Sequence, residues 1–160
     1  MSTGYSETSA HERVRSIADY QFGAGIGEAL FPEGTEFGFS SSGRVRYILL
    51  AGERLATLRA GDGRLTLGLP GAVRLHAATI PPSHRVTIGE EVVPFVGAGK
   101  NAMAKHVIAA DDAIGAGDEV LVVTLSDRLV ATGVANLSGR EMLAFNYGVA
   151  VKVRKGADLP

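Results

Sequence analysis

The sequence has no cysteine and no tryptophan, few aromatic residues, and no excess of charge of either sign. Without cysteine there are no disulfides and no thiolate zinc sites, a composition that fits a reducing interior. With 16 lysines and arginines against 17 acids the net charge is −1. The chain as a whole therefore exerts no attraction on nucleic acid, and any such surface must be a local patch. Long apolar runs are missing too. None approaches the length needed to span a bilayer, and Met1–Ala10 is polar rather than a signal peptide, so the expected location is the cytoplasm. A length of 160 residues allows one medium domain or two small ones, each able to bury a core.

Periodicity divides the chain. Met1–Ala10 is rich in Ser and Thr and is expected to fray, with Ser9 available as a helix cap. From His11 onward, Val14, Ile17, Ala18 and Phe22 recur at helical spacing, predicting an amphipathic helix that ends near Gly23. A second short helix fits Ile26–Leu30, stopped by Pro32. From Glu36 the period changes to that of strands over Glu36–Ser40, Arg44–Leu50, Arg54–Arg59 and Leu65–Leu67, separated by glycine turns, which predicts a small antiparallel meander. Strict alternation puts Val45, Tyr47 and Leu49 on one face and Arg44, Arg46 and Ile48 on the other. Between Arg44 and Arg74 six arginines stand against two acids, Glu53 and Asp62, the strongest local charge bias of the first half. It reads equally as a solvated sheet face or as an RNA-facing patch.

Pro70–Ala78 predicts a helix, and Pro81-Pro82 then breaks it and favours extended backbone. The domain boundary is placed there, giving residues 1–82 and 83–160 joined by a short stiff linker. Beyond it, Arg85–Ile88, Val92–Val96, Val107–Ala109, Glu119–Thr124, Leu129–Ala135 and Gly148–Val153 read as strands, with Glu119–Thr124 at the centre and a hairpin turn at Ser126-Asp127. Ser138 and Glu141 have the spacing of a capping box at the start of a short helix. Lys155–Pro160 reads as a polar tail.

Motifs of catalysis are missing. His11, His76, His84 and His106 lack metal-ligand spacing, so no metal or cofactor is expected. Gly23-Ala24-Gly25-Ile26-Gly27 follows no strand and has Glu at position 28, so it reads as a join between helices rather than a dinucleotide loop. Gly97-Ala98-Gly99-Lys100-Asn101 is not a P-loop, because Pro94 and Asn101 stand where that motif needs glycine and Ser or Thr. No serine nucleophile elbow and no helical H-E-x-x-H occur. A non-enzyme is expected.

What is present is Val92–Val107, VVPFVGAGKNAMAKHV, read as an apolar strand, a glycine turn and a segment carrying Lys100, Asn101 and Lys105. Gly97 and Gly99 would let the main chain approach a phosphate with its N–H groups as donors, while Lys100 and Lys105 supply charge. Lys152 and Arg154 share one side of a period-two strand and could face the same ligand, or Lys152 could simply be solvated. Phe145 is read as packing and Tyr147 as the exposed stacking candidate.

Taken together, the G-K-x-x-x-x-K-x-V segment, the strand opened by Gly115-Ala116-Gly117-Asp118, the strand Leu129–Ala135 and the terminal Gly148-Val149-Ala150-Val151-Lys152 resemble a PUA domain over Val86–Arg154. Residues Arg13–Gly23 and Gly43–Arg46 are similar to the domain preceding PUA in archaeal archaeosine tRNA-guanine transglycosylases. The resemblance implies an α+β chain: a small antiparallel sheet with helices, followed by a PUA-like mixed β pseudo-barrel. It implies a non-catalytic RNA-binding role linked to tRNA modification, with tRNA rather than DNA or membrane as partner, and a tRNA-modifying enzyme as a further partner. The contacts it implies are Gly97, Gly99, Lys100, Asn101, Lys105, Tyr147 and Gly148, although Asn146-Tyr147 stand where relatives often carry a basic residue. In full-length transglycosylases the catalytic aspartates belong to a barrel domain with no counterpart in these residues. Other readings stay open: an accessory subunit of a split transglycosylase, or a protein-interaction or dimerisation module without RNA affinity.

Overall fold

A computed structural model describes residues 7–158 of the chain. It divides into two compact units, Met1–Ala78 and Thr79–Pro160.

In the first unit, helix α1 (Glu7–Phe22) is followed by α2 (Ile26–Leu30), strands β1 (Glu36–Phe39), β2 (Val45–Leu50), β3 (Glu53–Leu58) and β4 (Leu65–Leu67), and helix α3 (Leu69–Ala78). The fraying and capping expected at Met1–Ala10 fall partly outside the described residues. Where the chain is described, Ser9 lies within α1 rather than at its cap. Ala10, Val14, Ala18 and Phe22 form a buried stripe at spacing i, i+4, the period of a helix with one face on a core. The Gln21 side chain ties this helix to the sheet: its amide donates to the Leu65 carbonyl (2.9 Å) and its oxygen accepts from the Leu65 amide (2.8 Å). Leu65 lies on β4, an edge of the sheet whose order is β1-β2-β3-β4. That contact satisfies backbone groups that an edge strand would otherwise leave open. At the end of α2 the Phe31 carbonyl accepts from Arg15 Nε (2.8 Å) and lies 2.6 Å from His11 Nε2, and the Ala29 carbonyl accepts from Arg74 Nε (2.9 Å). Two of the unit's arginines are thus occupied at orphan helix carbonyls.

The meander forms where the sequence places it, but the alternation in β2 does not hold. Val45 and Ile48 are buried, while Tyr47 is exposed. The cause is a β-bulge: Gly38 pairs with Tyr47 and Phe39 with Val45, so Arg46 is an extra residue without a cross-strand partner. One inserted residue reverses the parity of everything beyond it.

The second unit contains β5 (Arg85–Ile88), a 3-10 turn Glu90–Val92, α4 (Val93–Gly97), β6 (Ala102–Met103), a 3-10 turn Ala104–His106, β7 (Val107–Ala110), β8 (Glu119–Val123), β9 (Leu129–Ala135), α5 (Gly139–Ala144) and β10 (Val149–Gly156). The sheet order is β6-β10-β9-β8-β5-β7, with β5 and β8 parallel and the other pairs antiparallel. Every residue of β8 is buried, as expected of a central strand. Val86, Ile88, Val96, Val120, Val130, Met142 and Val151 meet in the core inside this mixed sheet. Each such side chain contributes roughly 1.5–3 kcal/mol on burial. The capping box is present: Ser138 Oγ accepts from the Glu141 amide (3.2 Å), and Glu141 Oε1 accepts from the Ser138 amide (2.9 Å).

Three segments depart from the sequence reading. Residues 92–96 are helical rather than extended, since Pro94 suits a first helical turn and Val93 and Val96, three apart, share the buried face. The Pro81-Pro82 segment is a turn with a cis bond between the prolines, not an extended linker. The last strand runs on to Gly156 through part of the expected tail, whose final residues 159–160 lie outside the described ones.

Arg85, 2% exposed, is the buried cation of this unit. Its guanidinium donates to both carboxylate oxygens of Asp127 (2.8 and 3.2 Å), to Thr79 Oγ1 (2.8 Å) and to the Thr79 and Ser83 carbonyls (3.1 and 2.9 Å), binding the start of β5 to the β8–β9 turn. Removing one partner of such a pair strands the other. Asp127→Ala is expected to destabilise this unit by about 3 kcal/mol. Asp127→Asn, which keeps an acceptor and tolerates the positive φ of 64° at this position, should cost less. Urea unfolding followed at the β8 and β9 amides checks both.

Candidate nucleic-acid interface

The glycine turn after α4 is a helix C-terminus. The Ala98 amide donates to the Pro94 and Phe95 carbonyls, the Gly99 amide to Val96 (3.0 Å) and the Lys100 amide to Phe95 (3.1 Å). Gly99 adopts φ +111°, the conformation that lets the chain leave a helix in this way. These amides are consumed by the cap, so they are not donors for a phosphate, and the carbonyl end of a helix repels anions. On its other side the turn meets its own chain. Gly97 is buried, its carbonyl accepts from the Asp158 amide (2.8 Å), and a Cβ at Gly156 would lie 2.0 Å from the Gly97 oxygen. Only glycine at position 156 permits that approach. Charge at this bend is therefore offered by the lysine ammonium and not by main-chain N–H groups.

From the bend, the segment runs antiparallel to β10. Ala102 pairs with Val151 and Met103 with Val149, and the Ala104 amide donates to the Gly148 carbonyl (2.9 Å). Asn101 is used in this pairing, its Oδ1 accepting from the Val153 amide (3.0 Å). Lys100, Lys105 and Lys152 are exposed. Lys152 sits on β10 between Val151, opposite Ala102, and Val153, which holds Asn101. Arg154 is committed elsewhere. It forms a bidentate pair with Glu119 at 2.8 and 2.7 Å, and the Glu119 side chain is 4% exposed. A bulge between Val153 and Lys155 interrupts the alternation on which a shared face with Lys152 was expected.

At the other end of the segment stand the aromatics. Phe145 and Tyr147 are stacked, with ring centroids 6.1 Å apart and planes 10° from parallel. Tyr147 is 76% exposed and Phe145, expected to pack inward, is 39% exposed. Their base is fixed: the Phe145 amide donates to the Glu141 carbonyl in the capped α5, and Gly148 turns the chain into β10 at φ +89°. The Ala104–Gly148 hydrogen bond brings the backbone next to Lys105 against the backbone next to Tyr147. The structure thus assembles Lys105, Tyr147 and Gly148 with Phe145 at one end, and Lys100, Asn101 and Lys152 along the β6–β10 pair. Gly97 and Arg154 have internal roles. Sequence reading missed Phe145 as Tyr147's partner, although two aromatics two residues apart before a glycine were the available signal. Among the described residues no group of three or more His, Asp or Glu is placed to hold a metal ion, and no helix is long and apolar enough to cross a membrane.

Comparison with known proteins gives two matches that divide the chain. Residues 12–82 match the patch-forming domain C2 of tRNA-guanine transglycosylase, and residues 84–157 match the PUA domain. This is a PUA-domain protein. A tRNA-guanine(15) transglycosylase of Methanothermobacter thermautotrophicus is 49% identical over 146 residues, which are 91% of this chain and 22% of that enzyme. The chain therefore spans about a quarter or less of the length of such relatives, and the part matched is their C-terminal region. Among solved structures, a hypothetical protein of Pyrococcus horikoshii superposes with a TM-score of 0.72 at 25% identity, covering 96% of this chain and 92% of that one. A PUA domain protein of Thermoplasma acidophilum gives 0.63 at 20% identity, covering 95% and 91%, a likeness of fold. The mixed sheet of the second unit is the PUA barrel, and the four-stranded sheet with its helices is the C2 domain.

The contrast between the two cations of β10 is measurable in this PUA domain. Arg154→Ala leaves Glu119 buried without its partner and is expected to cost about 3 kcal/mol, seen as a clear drop in melting temperature. Lys152→Ala should leave the melting temperature unchanged.

Proposed function

We propose that this chain binds RNA, with tRNA as its natural ligand, and serves as the non-catalytic RNA-holding part of a tRNA-guanine transglycosylase system, whether joined to a catalytic domain or acting beside one. The observation that carries this reading is the likeness to tRNA-guanine(15) transglycosylases across both domains, 49% identical over 146 residues. The geometry supports it. Exposed Lys100, Lys105 and Lys152 can neutralise phosphates and so release condensed counterions, the term that dominates nucleic-acid affinity. The Phe145–Tyr147 stack presents a fixed aromatic edge to an unpaired base or a terminal base pair, and base–aromatic stacking is worth about 1–3 kcal/mol per base. Backbone contacts of this kind position an RNA without reading its sequence, which suits a holding domain whose chemistry is done elsewhere. The working compartment is that of tRNA modification, the cytoplasm.

Binding of the 160-residue chain to tRNA should weaken steeply with salt. Three phosphates neutralised at these lysines contribute about −3 to the log–log slope. Lys105→Glu is expected to weaken binding and flatten the slope. Tyr147→Ala should weaken binding by about tenfold, the low end of one base's stacking energy, with the slope unchanged. Filter binding or fluorescence anisotropy across a salt series checks these outcomes. Absence of tRNA binding at low salt, or wild-type behaviour of the Lys100→Glu/Lys105→Glu double variant, overturns the proposal. In a guanine-exchange assay on tRNA the chain alone is expected to stay at background.

A further inference from the structure

We propose that the C2 domain carries a phosphate-binding pocket of its own, lined by Arg13, Arg44, Arg46 and Arg59 with the hydroxyls of Ser40 and Ser42, which takes a phosphodiester group of an RNA strand. It deepens the RNA-binding reading and rests on it for the source of the phosphate.

The four arginines come from separate parts of the domain: Arg13 from α1, Arg44 from the residue before β2, Arg46 from β2, and Arg59 from the residue after β3. They line one pocket of about 190 Å³. That volume holds roughly six waters at liquid density, enough for a phosphate group with part of its hydration. Two local devices build it. The β1–β2 turn is closed by the Ser40 amide on the Arg44 carbonyl (2.8 Å) and the Gly43 amide on the Ser40 carbonyl (2.9 Å), which holds the Ser40 and Ser42 hydroxyls 2.9 Å apart. Arg46 is the extra residue of the bulge in β2, and bulges re-aim side chains.

The charges of Arg44 and Arg46 make little sense as scaffold. Arg15, Arg54, Arg74, Arg85 and Arg154 each donate to a defined protein acceptor. Arg44 and Arg46 form no ion pair among the described residues, and no carboxylate lines the pocket. Arg59 meets Asp62 at 3.5 Å, with both side chains largely exposed, a surface pair worth little and readily exchanged for a stronger anion. Protection of a sheet edge is no explanation either, because β2 lies between β1 and β3. Nor is the cluster a by-product of a basic chain, since the net charge is −1. Arg44 and Arg46, brought to one pocket without a counter-charge, repel one another until an anion joins them. Several planar forks with hydroxyl donors match the oxygens of phosphate, which can accept from more than one arginine at once.

Two measurements on the full chain test the pocket. Inorganic phosphate titrated into the 15N-labelled protein should give saturable shifts at the amides of residues 40–46 and at the arginine Nε signals. These should be lost in Arg44→Gln/Arg46→Gln at unchanged melting temperature, and weakened in Arg44→Lys/Arg46→Lys. In the tRNA salt series the glutamine pair should flatten the log–log slope by about two, whereas the lysine pair should keep it. If wild type binds tRNA and the glutamine pair leaves affinity and slope unchanged, the RNA assignment of the pocket falls while the RNA-binding reading stands. If phosphate shifts the pocket but wild type binds no tRNA, that reading falls, and with it the phosphodiester assignment in favour of a small free phosphate. Absence of phosphate-induced shifts together with an unchanged slope removes the pocket altogether.

Discussion

The surface of the PUA domain depends on its last strand. Residues 99–106 contain only two strand positions, and alone they could not hold a conformation, because so short a segment forms too few hydrogen bonds to offset its backbone entropy. β10 supplies the template. It pairs with Ala102 and Met103, lends the Val153 amide to Asn101, gives the Gly148 carbonyl to Ala104, and lays Gly156 against the end of α4. It also carries Arg154, which neutralises Glu119 in a strand that is otherwise wholly apolar. Lys100 and Lys105 are held by a strand about fifty residues further along the chain, so their placement is tertiary rather than local.

That dependence explains which parts of the molecule could be read in the sequence. The helical stripe Val14–Ala18–Phe22, the strands of the meander, the fully buried β8 and the Ser138–Glu141 capping box follow from local periodicity and local hydrogen bonds, and they stand where those signals put them. Residues 92–96 did not, because a five-residue apolar run has no period long enough to separate strand from buried helix, and Pro94 fits both a strand edge and a first helical turn. Parity failed at two bulges, one at Arg46 and one between Val153 and Lys155. Each puts a cation at an irregular position to which strict alternation can assign no face. The glycine bend was legible as a bend, but whether its amides were open or spent depended on the helix that precedes it.

The cations of this nearly neutral chain are divided by use. Arg15 and Arg74 serve helix carbonyls, Arg85 and Arg154 serve carboxylates, and the planar fork of arginine suits all four tasks because it satisfies several acceptors in a fixed geometry. The exposed cations proposed to meet RNA on the PUA domain, Lys100, Lys105 and Lys152, are lysines, whose flexible ammonium groups reach a phosphate without demanding one orientation. Neither class could be told from the other by counting charges. Only the partners at each guanidinium separate the positive charge that holds the fold from the positive charge left for a ligand.

The sheet order also governs assembly. β10 inserts between β6 and β9, and β5 lies parallel beside β8, so the second unit joins segments far apart along the chain, whereas the meander of the first unit joins neighbours. Loop closure over such spans is slow compared with hairpin formation. During synthesis the meander can zip as it leaves the ribosome, while β6 must wait, unpartnered, for the strand that will cover it. Any truncation that trims β10 therefore does more than shorten an end. It leaves β6 and β9 with open edges, and a chain in that state is a candidate for pairing with its neighbours instead of with itself.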